Sequence, residues 1–125
     1  MVAGRSTARA AGLAQQFAAL GPVQSCGLEA IAHGAFDIVI NATSAGLTGE
    51  VPAIPGSAIH PDTFCYDMSY ARAGTAFLNW ARDQGAERTA QGWGMLVEQA
   101  AESFELWRSV RPPTEVVLAA LQADG

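Results

Sequence analysis

The 125-residue chain carries seven basic residues, all of them arginine, against 12 acidic ones, for a net charge of −5 and a pI near 4.8. That balance argues against a nucleic-acid surface, which needs a basic face. The absence of lysine excludes a Schiff base or an ammonium proton donor supplied by these residues. Half the residues are hydrophobic, enough to bury the core of one folded domain. No apolar run approaches the roughly 18–20 residues of a membrane helix. The N-terminal residues lack a secretory apolar region, so a cytoplasmic protein with no membrane partner is expected. Cys26 and Cys65 are too few and too distant for a disulfide framework or a metal site, and His33 and His60 lack ligand spacing.

In chain order, Met1-Val2-Ala3 reads as the end of a strand, followed by Gly4-Arg5-Ser6. A helix is expected over Thr7–Leu20, capped by Ser6 and stopped by Gly21-Pro22, with Ala10, Leu13, Ala14, Phe17 and Leu20 on its buried face. Val23–Cys26 suggests a short strand and Leu28–His33 a helical turn. In the run Phe36-Asp37-Ile38-Val39-Ile40, Ile38, Val39 and Ile40 form an uninterrupted β-branched core of the kind found in a strand buried on both faces of a parallel sheet. It turns abruptly small and polar from Asn41 to Gly46, where open α/β sheets bind ligands at the carboxyl ends of their strands.

Thr48–Pro61 is loop-like, rich in Gly and Pro. Thr63–Met68 is a second strand, running into Ser69-Tyr70; a helix over Thr75–Gln84 and a strand over Glu87–Ala90 follow. The last long helix has an apolar stripe of Trp93, Leu96, Val97, Ala100, Ala101, Phe104 and Trp107, with Glu98, Glu102 and Glu105 opposite. Met95 and Gln99, one turn apart at its border, can point together into a cleft. Pro112-Pro113 ends this helix, and Thr114 caps a final one through Gln122. Strand alternates with helix throughout, so the class is α/β with a mostly parallel sheet.

Arg5 and Arg9 stand at the expected helix start, where the macrodipole disfavours cations. An anion held between them, beside the Ser6 hydroxyl and free backbone N–H groups, makes sense of the placement. In dinucleotide folds an arginine after the second strand accommodates the 2′-phosphate of NADP, whereas an acid there selects NAD. Two solvated surface arginines are the competing reading.

Five motifs together resemble the C-terminal half of the shikimate dehydrogenase family: Gly4-Arg5-Ser6 with Arg9, Phe36-Asp37 through Asn41-Ala42-Thr43-Ser44, Pro52-Ala53-Ile54-Pro55, Tyr66-Asp67-Met68-Ser69-Tyr70, and Gly92-Trp93-Gly94-Met95-Leu96-Val97 with Gln99-Ala100-Ala101. The resemblance covers essentially the whole chain. It implies a partial Rossmann-like, doubly wound parallel sheet over residues 1–92, the distal part of an NADP-binding domain. C-terminal helices over residues 93–125 would pack on that domain and close the substrate cleft.

The implied function is NADP-dependent hydride transfer interconverting 3-dehydroshikimate and shikimate. Under the resemblance, Arg5, Ser6 and Arg9 hold the 2′-phosphate, with Ser6 in place of the family's Thr and Gly4 in place of its Asn. Ala42, Thr43 and Ser44 line the ribose and pyrophosphate side. Met68 and Gly92 border the nicotinamide, with Met95 and Leu96 nearby, and Tyr70 and Gln99 reach the substrate.

Two departures limit what these residues can do. The family's catalytic Lys–Asp pair lies in its N-terminal domain, and a chain without lysine cannot complete it, so no catalytic residue is assigned here. The Gly-rich phosphate loop is missing as well, and Asp67 reads as structural. Little turnover is therefore expected of these residues alone, and the exposed sheet flank is expected to pair with itself or with the missing half. The alternatives are a quinate/shikimate dehydrogenase paralogue using NAD, which the two arginines disfavour, and a non-catalytic nucleotide-binding module or truncated product.

Overall fold

The computed structural model describes residues 1–31 and 36–123; His33 lies outside them. Among the described residues, five short strands and four helices follow in the order β1 (Val2–Gly4), α1 (Thr7–Gln16), β2 (Ser25–Gly27), β3 (Ile38–Asn41), β4 (Phe64–Asp67), α2 (Ala76–Asp83), β5 (Arg88–Gln91), α3 (Trp93–Arg108) and α4 (Thr114–Ala123), with no α-helix between β2, β3 and β4. Single 3₁₀ turns occupy Ala18–Leu20, Leu28–Ala30, Ser44–Thr48 and Gly56–Ala58. All strand pairing is parallel, in two separate sheets of order β2-β1 and β3-β4-β5.

Local chemistry sets the helix starts. The Ser6 side chain accepts from the Arg9 N–H at 3.3 Å and caps α1, as expected, and the Thr75 side chain accepts from the Leu78 N–H at 3.3 Å to cap α2. The α1 helix is shorter than its sequence suggests and gives way to the 3₁₀ turn at Ala18–Leu20.

The main core lies under one face of the three-stranded sheet. Ile59, Cys65, Phe77, Leu78, Ala81 and Ala86 are buried together, with Val39, Ile54 and Trp80 packed around them. Phe77 and Leu78 are essentially inaccessible, and each such side chain contributes about 1.5–3 kcal/mol of transfer free energy.

Three expected burial patterns are not met. Ile38 and Ile40 are 57% and 59% exposed, so β3 is buried on one face only, through Val39 and Asn41. On α1 only Ala10 and Ala14 are buried, while Leu13, Phe17 and Leu20 face outward. On α3 the stripe is buried at Val97 and Ala101 and exposed at Phe104 and Trp107. The cause is common to all three: a helix or strand face is covered only where another element lies over it. The α1 helix rests on the narrow two-stranded sheet of β1 and β2, β3 is the edge of its sheet, and among the described residues the far half of α3 packs mainly against α4.

The expected solvent side of α3 does carry its acids, and they have a partner. Glu98 and Glu105 meet the Arg111 guanidinium at 2.7 and 3.3 Å, with Glu102 between them. This pins the Ser109–Pro113 turn back onto α3. Among the described residues, no helix is long and apolar enough to cross a membrane.

Candidate functional site: the carboxyl edge of the three-stranded sheet

Strands β3 and β4 end in register at Asn41 and Asp67, and both end residues are buried. Burial of two polar side chains is tolerable only if they satisfy each other. The Asn41 Nδ2 donates to Asp67 Oδ1 at 3.3 Å, while Asn41 Oδ1 accepts from the Thr43 N–H at 3.1 Å and the Thr43 hydroxyl at 2.8 Å. Asp67 Oδ1 also accepts from the Ser69 N–H at 2.9 Å. One side-chain pair therefore shapes the loop after β3 and the loop after β4 together. Asp67 Oδ2 is buried without a hydrogen-bond partner among the described residues.

Backbone contacts extend the lock to the start of α3. The Met68 N–H donates to the Asn41 carbonyl at 3.0 Å and the Gly92 N–H to the Ser69 carbonyl at 3.1 Å. Close approach makes Gly92 necessary and leaves Gly46 little room. A Cβ on Gly92 would sit 2.2 Å from the Met68 carbonyl oxygen, and one on Gly46 would sit 2.5 Å from Ser69 Oγ. The Gln91 Oε1 accepts from the Ala71 N–H at 2.7 Å, and the Tyr70 and Trp93 rings lie 4.3 Å apart. Three loops from three strands thus form one surface, held by hydrogen bonds rather than by apolar packing.

The residues singled out from the sequence fall into three places. Ala42, Thr43 and Ser44 form the loop after β3, with Thr43 half-buried and the other two exposed. Met68, Tyr70, Gly92, Met95 and Leu96 gather where the loop after β4 meets the first turn of α3; Met68 and Tyr70 are exposed and Gly92 is buried. Gln99 is exposed one turn further along α3, where its carbonyl accepts from the Ser103 hydroxyl. Arg5, Ser6 and Arg9 stand apart, where the chain passes from β1 into α1. Both arginines are exposed, and among the described residues neither forms a salt bridge. The Ser6 hydroxyl is engaged in capping α1.

Sequence reasoning missed the roles of Asn41, Gln91 and Trp93. A usable signal existed for Asn41, since an Asn and an Asp each end an apolar run and each precede small residues. Pairing them required the strand register.

Parallel strands with connecting helices define the class: a Rossmann-like α/β fold with parallel sheets. Residues 92–122 match the family model described as the shikimate 5′-dehydrogenase C-terminal domain. Over 99% of its length the chain is 47% identical to the shikimate dehydrogenase (NADP(+)) of Methylococcus capsulatus, of which it covers 44%. Among solved structures it matches an Ael1 enzyme from Pseudomonas putida with a TM-score of 0.84 at 42% identity, over 95% of this chain and 44% of that one. It also matches a shikimate dehydrogenase in complex with NADP+ with a TM-score of 0.79 at 30% identity, over 98% of this chain and 45% of that one. Over nearly its whole length the chain is similar to the C-terminal part of shikimate dehydrogenases. It spans less than half the length of the relatives it matches.

Proposed function

We propose that this chain provides the distal NADP-binding surface and the substrate-facing helix of a shikimate dehydrogenase, which interconverts 3-dehydroshikimate and shikimate. The observation that supports this most is the interlocked carboxyl edge, where the loop after β4 is fastened to the start of α3 at Gly92, leaving Met68 and Tyr70 exposed on one surface. Such a surface is rigid yet open, which suits a flat ring and a small polyol.

The residues present fit the cofactor. Arg5 and Arg9 lie at the start of α1, exposed and without a carboxylate contact among the described residues, so a dianionic phosphate can be met by two guanidinium groups. The Ser6 hydroxyl already caps α1, so its contribution comes through the helix N-terminus that it orders. Ala42, Thr43 and Ser44 take the ribose and pyrophosphate side. Met68 and Gly92 border the nicotinamide, with Met95 and Leu96 behind. When bound, NADP supplies the hydride. Tyr70 presents its hydroxyl to the substrate with the ring braced on Trp93, and Gln99 offers its carboxamide from α3. In this reading, residues 93–125 act as a unit that closes the substrate cleft over residues 1–92.

These residues bind and orient; the proton transfer that accompanies hydride exchange needs a group from outside this lysine-free chain. The test is reconstitution. The unmatched portion of the Methylococcus capsulatus relative, produced separately and mixed with this chain, is expected to yield NADP-dependent oxidation of shikimate. Arg5→Ala in that complex should weaken NADP by about 10- to 100-fold and leave NAD nearly unchanged. Equal losses for both cofactors would refute the 2′-phosphate assignment. A folded complex that binds NADP without turnover would favour a nucleotide-binding module over an enzyme.

A further inference from the structure

We infer that Gln91 and Trp93 are positioning residues for Tyr70: they fix where the tyrosine hydroxyl stands and act on the substrate only through it. This role rests on the reading of Tyr70 as a substrate-facing residue and deepens it. Tyr70 lies in the loop between β4 and α2, where no strand or helix holds the backbone, and it is 43% exposed. A side chain so placed samples several rotamers unless its neighbours restrict it. A hydroxyl that must meet one group of a small polyol gains from being held in place beforehand.

Three consecutive residues at the junction of β5 and α3 grip three consecutive residues of that loop. The Gly92 N–H donates to the Ser69 carbonyl at 3.1 Å. The Ala71 N–H donates to Gln91 Oε1 at 2.7 Å. Between these two ties the Tyr70 ring lies against Trp93, with centroids 4.3 Å apart and planes inclined by 38°. Strand register makes the grip possible. Gln91 is paired with Asp67 across β4 and β5, and Asp67 Oδ1 accepts from the Ser69 N–H at 2.9 Å where the loop leaves its strand.

The three ties differ in what they ask of the sequence. The Gly92–Ser69 bond joins two backbones and requires only that position 92 carry no Cβ. The other two depend on side chains. An acceptor at position 91 fixes the backbone on the C-terminal side of Tyr70, and a flat ring at position 93 covers the phenol. Each of these ties favours the held conformation by about a factor of five. Met68 is fixed separately, through its N–H to the Asn41 carbonyl at 3.0 Å. Loss of either side-chain tie therefore frees Tyr70 and leaves Met68, on the cofactor side, in place.

The test is steady-state kinetics of the full chain in complex with the unmatched portion of the Methylococcus capsulatus relative, with amide exchange on the full chain itself. Gln91→Met, close in shape but without an acceptor, and Trp93→Leu should each raise KM for shikimate about fivefold and change KM for NADP by less than about twofold. In a Tyr70→Phe background the same substitutions should add almost nothing, because the group they position is gone. Trp93→Phe, which keeps a ring, should recover most of the loss. Gln91→Met should also speed exchange at the Ala71 amide by about fivefold and leave that of Met68 unchanged. Unchanged KM for shikimate in both variants, equal rises for shikimate and NADP, losses fully additive with Tyr70→Phe, or an Ala71 amide indifferent to Gln91→Met would each overturn the assignment. A parent complex that turns over no shikimate counts against the dehydrogenase reading instead, and the Ala71 amide then decides the grip by itself.

Discussion

Gly92→Ala is the substitution whose outcome the structure determines most sharply. Gly92 precedes α3 and is buried against the loop after β4, and its N–H donates to the Ser69 carbonyl at 3.1 Å. An added Cβ would lie 2.2 Å from the Met68 carbonyl oxygen, 2.9 Å from its carbonyl carbon and 3.4 Å from its Cα. These are backbone atoms, so no rotamer change relieves the clash, and either the loop or the helix start must move. Overpacking of this kind costs about 1–3 kcal/mol, and losing the Gly92–Ser69 hydrogen bond adds about 1 kcal/mol. Stability is therefore expected to fall by about 2–4 kcal/mol, a drop of roughly 6–16 °C in Tm for a domain of this size.

Gly94, two residues on and already inside α3, is the control, because a Cβ there meets nothing within 4 Å. Gly94→Ala should be neutral or stabilising by up to about 1 kcal/mol through helix propensity. Urea unfolding of the two variants beside the parent chain, followed by circular dichroism, reads both numbers. Equal effects, or a Gly92→Ala variant as stable as the parent, would refute the close approach of the loop to the helix and with it the interlocked edge.

Two further outcomes follow from buried polar and sulfur groups. Asn41→Ala removes the Nδ2 donor to Asp67 and the acceptor for Thr43, so a buried carboxylate loses a partner and two loops lose a tie. A loss of about 2–4 kcal/mol in urea unfolding is expected, and a change below about 0.5 kcal/mol would show that the pair is not a structural tie. Burial raises the pKa of the Cys65 thiol, which keeps it neutral in the fold. Its contribution to stability is complete below the unfolded-state value of about 8.5 and declines as pH rises from there through the folded value. A thiol reagent such as DTNB at pH 8 should modify the half-buried Cys26 first and reach Cys65 only in urea; matching rates in buffer would contradict the buried placement.

Much of the order of elements was legible from the chain. The Ser6 cap, the Pro112-Pro113 break and the individual strands and helices are local signals, written in residue types a few positions apart. So was the similarity to shikimate dehydrogenases, because the motifs that carry it are short and ordered. Which apolar residues are buried was not legible. Ile38-Val39-Ile40 reads as a strand covered on both sides, yet Ile38 and Ile40 are exposed. The same holds for Leu13 and Phe17 on α1 and for Trp107 on α3. Periodicity tells which face of an element wants cover; it does not tell whether the covering element is part of the chain.

Composition and spacing by themselves determined the class, the absence of a lysine acid and the pair of arginines at the start of a helix. Tertiary structure alone decided that Asn41 and Asp67 meet across a strand register, that Gly92 must be bare because a carbonyl lies against it, and that the two sheets face each other across a cleft. The difference is physical. Helix caps and turns are satisfied by neighbours in sequence, whereas a buried amide, a close backbone contact or an open strand edge is defined by groups brought together only when the strands pair.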